Sequence, residues 1–361
     1  MEIGNRDGIK QKLYLTVIFI IVVFMVSSIF VKKKGAGDDN LKNSVLAGES
    51  SEKAAEEGLS PTLTNVSAES IEVSTQPKRK NSVKIGIVVD DYANKFSTIT
   101  SIENKLGVNI STISIYKQFG HPENKYLNLE DLGYTRKANK TLLIAWEPWN
   151  PSEGNSQSKD YLSEIISGNF DEYIKKFAND VKSYGGPVII RFAHEMNGNW
   201  YPWGRKPEEY KKAHQHVFDV FKSLGVANAT FNWSVNFENV PYEPISELAK
   251  YYPGDSYINS IGIDGFNWGQ GSGRSWKSFK DIFYTPYNYL NNNYQKPIII
   301  TETASSEIGG SKSDWIKEMF VDLNSSLNDI TEIVWFNLLK EADWRLVSSD
   351  ASSTSFSESV E

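Results

Sequence analysis

The chain of 361 residues contains no cysteine. That excludes disulfides, thiolate metal sites, thiol catalysis and a lipid anchor on an N-terminal cysteine. It leaves core packing alone to hold an exported domain together. Histidine is scarce too, with four in the chain. His194 has no second histidine or acid at ligand spacing in its loop, and His214 and His216, two apart on a helical stretch, diverge in direction. No metal and no cofactor is expected. A basic excess is also missing: the formal charge is −7. This disfavours nucleic acid or an anionic membrane as partner of the folded part, since those surfaces need basic footprints. A glycine-rich phosphate loop is absent as well. The first apolar run, 83–89, leads into Asp90-Asp91-Tyr92-Ala93, which is no dinucleotide-binding turn.

What the chain does have begins with Leu13 to Val31, nineteen residues without a charge, long enough to cross a bilayer as a helix. Lys32-Lys33-Lys34 follows at once, where a cleaved signal peptide would have a shorter apolar region and a small-residue cleavage site. The expectation is an uncleaved single-pass anchor over 13–31 with residues 1–12 in the cytoplasm; secretion after cleavage is the alternative. Charge alone barely sets the orientation, because basic residues lie on both sides. Residues 32–82 are Gly, Ser, Glu, Ala and Lys with scattered apolar positions, a composition that cannot offset the entropy of ordering, and are expected to form a disordered linker. The short tail 348–361 is expected to be disordered too.

From 83 to 347 eight apolar, β-branched runs recur: 83–89, 113–116, 141–146, 188–192, 229–235, 257–263, 298–301 and 330–336. Helical periodicity lies between several of them, at 170–181, 207–224, 276–290 and 313–323. Asn169 is the expected cap of the first of these, and Gly185-Gly186-Pro187 its stop. Strands apolar on both faces, alternating with helices, mean a parallel sheet covered by helices. Eight units over about 260 residues fit a single (β/α)8 TIM barrel, whose usual size is about 250 residues. A doubly wound open sheet is the rival.

In such a barrel the site lies at the carboxyl ends of the strands. Acids, amides and tryptophans collect there: Trp146-Glu-Pro-Trp149, His194-Glu195, Asn236-Phe-Glu238, Asp264-Gly-Phe-Asn-Trp268, Glu302 and Asn337. All ten tryptophans fall between Trp146 and Trp344. Those in polar loops (Trp149, Trp200, Trp203, Trp268 and Trp344) would expose costly apolar faces unless a sugar ring stacks on them. Trp315 and Trp233 read as core. Two buried strands that each run out onto a glutamate, Glu195 and Glu302, supply the carboxyl pair that glycoside hydrolysis requires. Glu147, Glu238 and Asp264 compete for that role, or tune it. His194 either bonds substrate or orients the neighbouring carboxylate, and Asn197 adds an amide to the same loop.

The run His194-Glu-Met-Asn-Gly-Asn-Trp-Tyr-Pro-Trp203 resembles the signature of glycoside hydrolase family 26, a family of β-mannanases with some mixed-linkage glucanases and xylanases. Trp146-Glu-Pro-Trp149, Tyr252 to Gly269, Thr301-Glu-Thr303, Val334-Trp-Phe-Asn337 and Asp343-Trp-Arg345 resemble its other strand ends, in order, so the likeness extends over most of 83–347. The resemblance implies a retaining mechanism with Glu195 as general acid/base and Glu302 as nucleophile. It places His194, Trp200 and Asp264 around the sugar nearest the chemistry, with Trp344 and Arg345 at a more distant one. Asn197, Trp149, Phe266 and Trp268 complete the expected substrate-binding set. At Phe266 the family commonly has a tyrosine that hydrogen-bonds the nucleophile; phenylalanine has no hydroxyl, so either another donor replaces it or the nucleophile is tuned differently. The expected activity is endo-hydrolysis of β-1,4-mannan at the cell surface by a monomer. A β-1,3-1,4-glucanase or exopolysaccharide-remodelling hydrolase is the runner-up, and a sugar-binding surface protein the rival of a different class.

Overall fold

The computed structural model describes residues 83–89, 95–271 and 273–360. The expected cytoplasmic segment 1–12, anchor 13–31 and linker 32–82 lie outside the described residues. Among those described, no helix is long and apolar enough to cross a membrane.

Eight strands run parallel in sequence order and close into a barrel: β1 (Lys84–Val88), β2 (Ile110–Gln118), β3 (Thr141–Glu147), β4 (Val188–Phe192), β5 (Ala229–Asn236), β6 (Ser260–Asn267), β7 (Ile298–Ser305) and β8 (Ile330–Phe336). Closure is made by β1 pairing with β8, from Lys84↔Glu332 to Val88↔Phe336. The open-sheet alternative is therefore excluded.

The outer layer consists of α1 (Lys95–Leu106), α2 (Gly133–Lys137), α3 (Tyr161–Ile166), α4 (Asp171–Tyr184), α5 (Pro207–Ser223), α6 (Phe279–Asn293), α7 (Lys312–Leu323) and α8 (Asp350–Val360). Two 3-10 segments, Ile245–Tyr251 and Asp255–Tyr257, lie between β5 and β6 at the place of the missing helix. The helices form because their apolar residues share one face. In α4 these are Tyr173, Ile174, Phe177, Ala178 and Val181, all buried, at the i, i+3, i+4 spacing of a core-facing stripe. The outward side of β3 meets that stripe where Trp146 stacks on Phe177 at 4.2 Å and 16°. Burying such a ring contributes about 1.5–3 kcal/mol. Gly185 stops α4 in left-handed backbone, φ 72°, which glycine adopts without strain. The start differs from expectation: Phe170 occupies the cap position and makes no side-chain cap bond, while Asn169 donates to Glu164 Oε2 at 2.9 Å.

Of the tail 348–361 expected to be disordered, residues 348–360 are ordered. Residues 350–360 form α8, with Phe356 wholly buried against Phe320 of α7 and Trp335 of β8, at 5.3 and 6.2 Å. This is the helix that completes the eighth repeat.

Candidate active site

The loop that leaves β4 is bent sharply. Ala193 and Glu195 both lie in left-handed backbone, φ 47° and 53°, which costs an L-residue roughly 1–2 kcal/mol each. Two backbone bonds offset that cost: Ala193 N donates to Trp146 O at 3.0 Å and Glu195 N to Ser234 O at 2.9 Å. The turn is thereby tied to β3 on one side and β5 on the other, and the Glu195 carboxyl is aimed into the barrel mouth. Gly198 then lets Trp200 fold back, since a Cβ there would lie 2.4 Å from the indole ring. Trp200 Nε1 donates to Glu195 Oε2 at 2.7 Å.

Opposite stands Glu302 of β7. Between the two, Arg191 rises from β4, completely buried. Its Nη1 donates to Glu302 Oε1 and its Nη2 to Asp264 Oδ2, each at 2.5 Å, and its Nε donates to Ser234 Oγ at 2.9 Å. Asp264 also accepts from Thr301 Oγ1 at 2.6 Å and Ser234 Oγ at 3.0 Å. The Tyr116 hydroxyl of β2 is a second donor to Glu302 Oε1. Glu147 ends β3, accepting from Gln118 Nε2 at 2.7 Å and Trp149 Nε1 at 3.2 Å.

Two carboxyl groups, Asp264 and Glu302, thus share one arginine, and Glu195 lies within reach of its charge. Burial, then the charges of Asp264 and Glu302, push Glu195 up to about 8 against the pull of Arg191 and Trp200. Burial raises Glu147 to about 7, although Gln118 and Trp149 pull it down. Burial would discharge Arg191, but Asp264 and Glu302 hold its proton firmly. Burial together with Arg191 keeps His194 neutral. The site therefore holds two glutamates, Glu195 and Glu147, whose surroundings favour the proton-carrying form, and a third, Glu302, engaged by two donors at a single oxygen.

The structure redistributes the rest of the expected substrate-binding set. Asn197 is completely buried. Its Nδ2 donates to Asn236 O, Glu238 O and Asn239 Oδ1 at 3.0–3.1 Å, and its Oδ1 accepts from Asn236 N at 2.8 Å. It staples the loop after β5 rather than facing a ligand. His194, also buried, has Nε2 3.2 Å from the Tyr201 hydroxyl and 4.0 Å from Glu147. Trp344, expected as an open platform, is 1% exposed because it packs against Phe266 and Trp268 at 5.4 and 5.0 Å. Trp203 is equally covered, stacked on Tyr201 at 4.2 Å with its Nε1 on His194 O. Trp149 is buried as well. Arg345 is half-buried and forks onto Asp343 at 2.6 and 2.7 Å.

Half-buried Trp200, Phe266 and Trp268 keep partly open faces, although the Arg274 guanidinium lies over the Trp268 ring at 3.7 Å. Among the described residues the most exposed large aromatic is Tyr242, at 87%, on the stapled loop after β5. Sequence reasoning did not select Arg191, Tyr116, Tyr201 or Tyr242. Only Arg191 carried a signal, a charge inside an otherwise apolar strand.

A closed parallel barrel whose strand ends gather acids around a buried arginine is one of the carboxylate-site (β/α)8 barrels, a class to which glycoside-bond chemistry is well suited. Within that class the chain belongs to glycosyl hydrolase family 26, whose model matches residues 85–284. It is 38% identical over 228 residues to Endoglucanase H of Acetivibrio thermocellus, covering 61% of this chain and 24% of that protein. It is 25% identical over 245 residues to a mannan endo-1,4-beta-mannosidase of Bacillus subtilis, covering 61% and 58%. The chain thus spans less than two thirds of either relative. Among solved structures, a GH26 beta-mannanase from Bacteroides ovatus superposes with a TM-score of 0.60 at 18% identity, over 77% of this chain and 88% of that one. At that identity the likeness speaks for the fold.

Proposed function

We propose that the protein is a retaining, endo-acting glycoside hydrolase of β-1,4-linked hexose polysaccharides. The observation that carries this reading is the unequal pair: Glu195, its proton favoured by burial and by neighbouring negative charge, and Glu302, paired with Arg191. A double displacement needs an acid that still holds its proton near neutrality and a carboxylate that does not. Glu195 protonates the leaving oxygen while Glu302 attacks the anomeric carbon; Glu195 then takes a proton from the water that releases the sugar. Asp264, buried and bound by Arg191, Ser234 and Thr301, acts on this pair through its charge. Trp200, Phe266 and Trp268 are the rings left to meet sugar.

β-Mannan is the first polymer to test, supported by the mannosidase relative. A β-1,3-1,4-glucan is the second reading, favoured by the higher identity to the relative called an endoglucanase. The charge-free segment 13–31 followed by three lysines supports a membrane anchor, and a polysaccharide-cleaving domain downstream of it supports a cell-surface location with the barrel outside and residues 1–12 inside. No cofactor enters the reaction.

The test is reducing-sugar release from mannan, galactomannan, mixed-linkage glucan and xylan by residues 82–361, with Glu195→Ala and Glu302→Ala alongside. Turnover of one polymer, lost in both variants, is the expected result. Binding without turnover on every polymer would make the protein a sugar-binding one, and activity surviving Glu302→Ala would assign the nucleophile elsewhere.

A further inference from the structure

Glu302 has two carboxylate oxygens, and the protein engages them unequally. Oε1 accepts from both Arg191 Nη1 and the Tyr116 hydroxyl. The hydrogen bonds that Glu302 accepts from the described side chains both end on Oε1. Tyr116 comes from β2, in register with Ala145 of β3, and its side chain reaches β7 across the barrel mouth. Its ring stands edge-on to His194 at 6.3 Å. Burial, and then the charge of Glu302, keep its proton in place, so it is a donor throughout. Phe266 brings no hydroxyl and packs its ring on Phe336, Trp344 and Trp268.

We propose that Tyr116 is a catalytic hydrogen-bond donor that, with Arg191, holds Oε1 of Glu302 so that Oε2 bonds the anomeric carbon, and that assists release of the carboxylate afterwards. The proposal rests on the hydrolase reading above. In the first half-reaction the C1–Oε2 bond forms as the bond from C1 to the leaving oxygen breaks. That electron pair goes to the leaving oxygen, which takes the proton of Glu195. In the second, water attacks C1 and gives a proton to Glu195, while the C1–Oε2 pair returns to Glu302 as negative charge over both oxygens. A donor on Oε1 bonds the charged carboxylate more strongly than the neutral ester carbonyl. Tyr116 therefore contributes most where charge reappears on Glu302, in the second step.

The experiment compares the unaltered protein with Tyr116→Phe on dinitrophenyl β-glycosides of mannobiose and cellobiose, whose leaving group makes the first step fast. The variant is expected to give a burst of dinitrophenolate equal to the enzyme present and a covalent sugar adduct in its intact mass. Its kcat should fall on the order of 10- to 100-fold, the loss of one charge-assisted bond, and KM should fall with it. Unchanged kinetics, or a lower kcat/KM with neither burst nor adduct, would reduce Tyr116 to a structural residue. If the phenylalanine variant does not fold, a fluorotyrosine placed at position 116, nearly isosteric and a stronger donor, reads the same step. There kcat rises if the proposal holds, and an unchanged kcat overturns it. Inactivity of the unaltered protein on these glycosides and on every polymer would sink the hydrolase reading and this proposal together, whereas a normal enzyme with a normal Tyr116→Phe sinks this proposal alone.

Discussion

Residues of this site hold protonation states that isolated side chains would not, and each can be tested alone. Trp200 Nε1 donates to Glu195 Oε2, and a bond to the charged form of an acid lowers its pKa. Trp200→Phe should therefore move the alkaline limb of kcat/KM, set by Glu195 at about 8, to higher pH; a limb moving down would contradict the assignment of Glu195 as the acid. Glu147, raised from 4.5 to about 7, makes a prediction about stability. The folded protein keeps a proton on Glu147 that the unfolded chain has already released, so this group's contribution is full below about pH 4.5 and lost as pH rises toward 7. Glu147→Gln keeps an oxygen to accept from Gln118 and Trp149 but cannot ionise. Relative to the unaltered protein it should gain stability between pH 4.5 and 7, by about 3 kcal/mol at most. Urea midpoints at pH 4 and pH 8 measure it, and an equal difference at both would refute the shift.

At the scale of elements, α8 shows how much of the barrel depends on a segment that does not look helical. Its sequence, Asp350 to Val360, holds five serines and one phenylalanine. Small hydroxyl side chains fold back onto the helix, Ser353 Oγ on Ser349 O at 2.9 Å and Ser357 Oγ on Ser353 O at 3.1 Å, and so can be buried without orphaned polar atoms. Glu307 gathers the hydroxyls of Ser348, Ser349 and Ser352 at 2.7–3.1 Å, while buried Lys312 donates to Asp343 O, Arg345 O and Ser348 Oγ. These bonds fasten the stretch from Trp344 to α8 against α7. Phe356→Ala should cost about 3–5 kcal/mol, the usual loss for a fully buried ring. A melting temperature unchanged by the substitution would show that α8 is not part of the cooperative fold.

Across the whole molecule, what could be read in the sequence was periodic or locally concentrated. The eight apolar runs became the eight strands, because a strand buried on both faces needs β-branched residues throughout. The hinge of the site, Arg191, was visible as a residue but not as a partner: its carboxylates, Asp264 and Glu302, stand 73 and 111 positions away, and closure of the barrel alone sets them beside it. Tyr116 lies 186 positions from Glu302 and was illegible for the same reason. The tryptophans misled because exposure depends on neighbours: Trp344 and Trp203 looked open in polar loops until Phe266, Trp268 and Tyr201 were packed on them. Barrel closure also puts a clock on folding. Val88 pairs with Phe336, 248 residues further on, so the free edge of β1 waits for nearly the whole barrel to be made before its partner exists. At roughly 5–20 residues per second of synthesis, that strand spends about 12–50 s with one side open. The nascent protein therefore stays open to mispairing along β1 from its first strand until its eighth, and not only while it is half made.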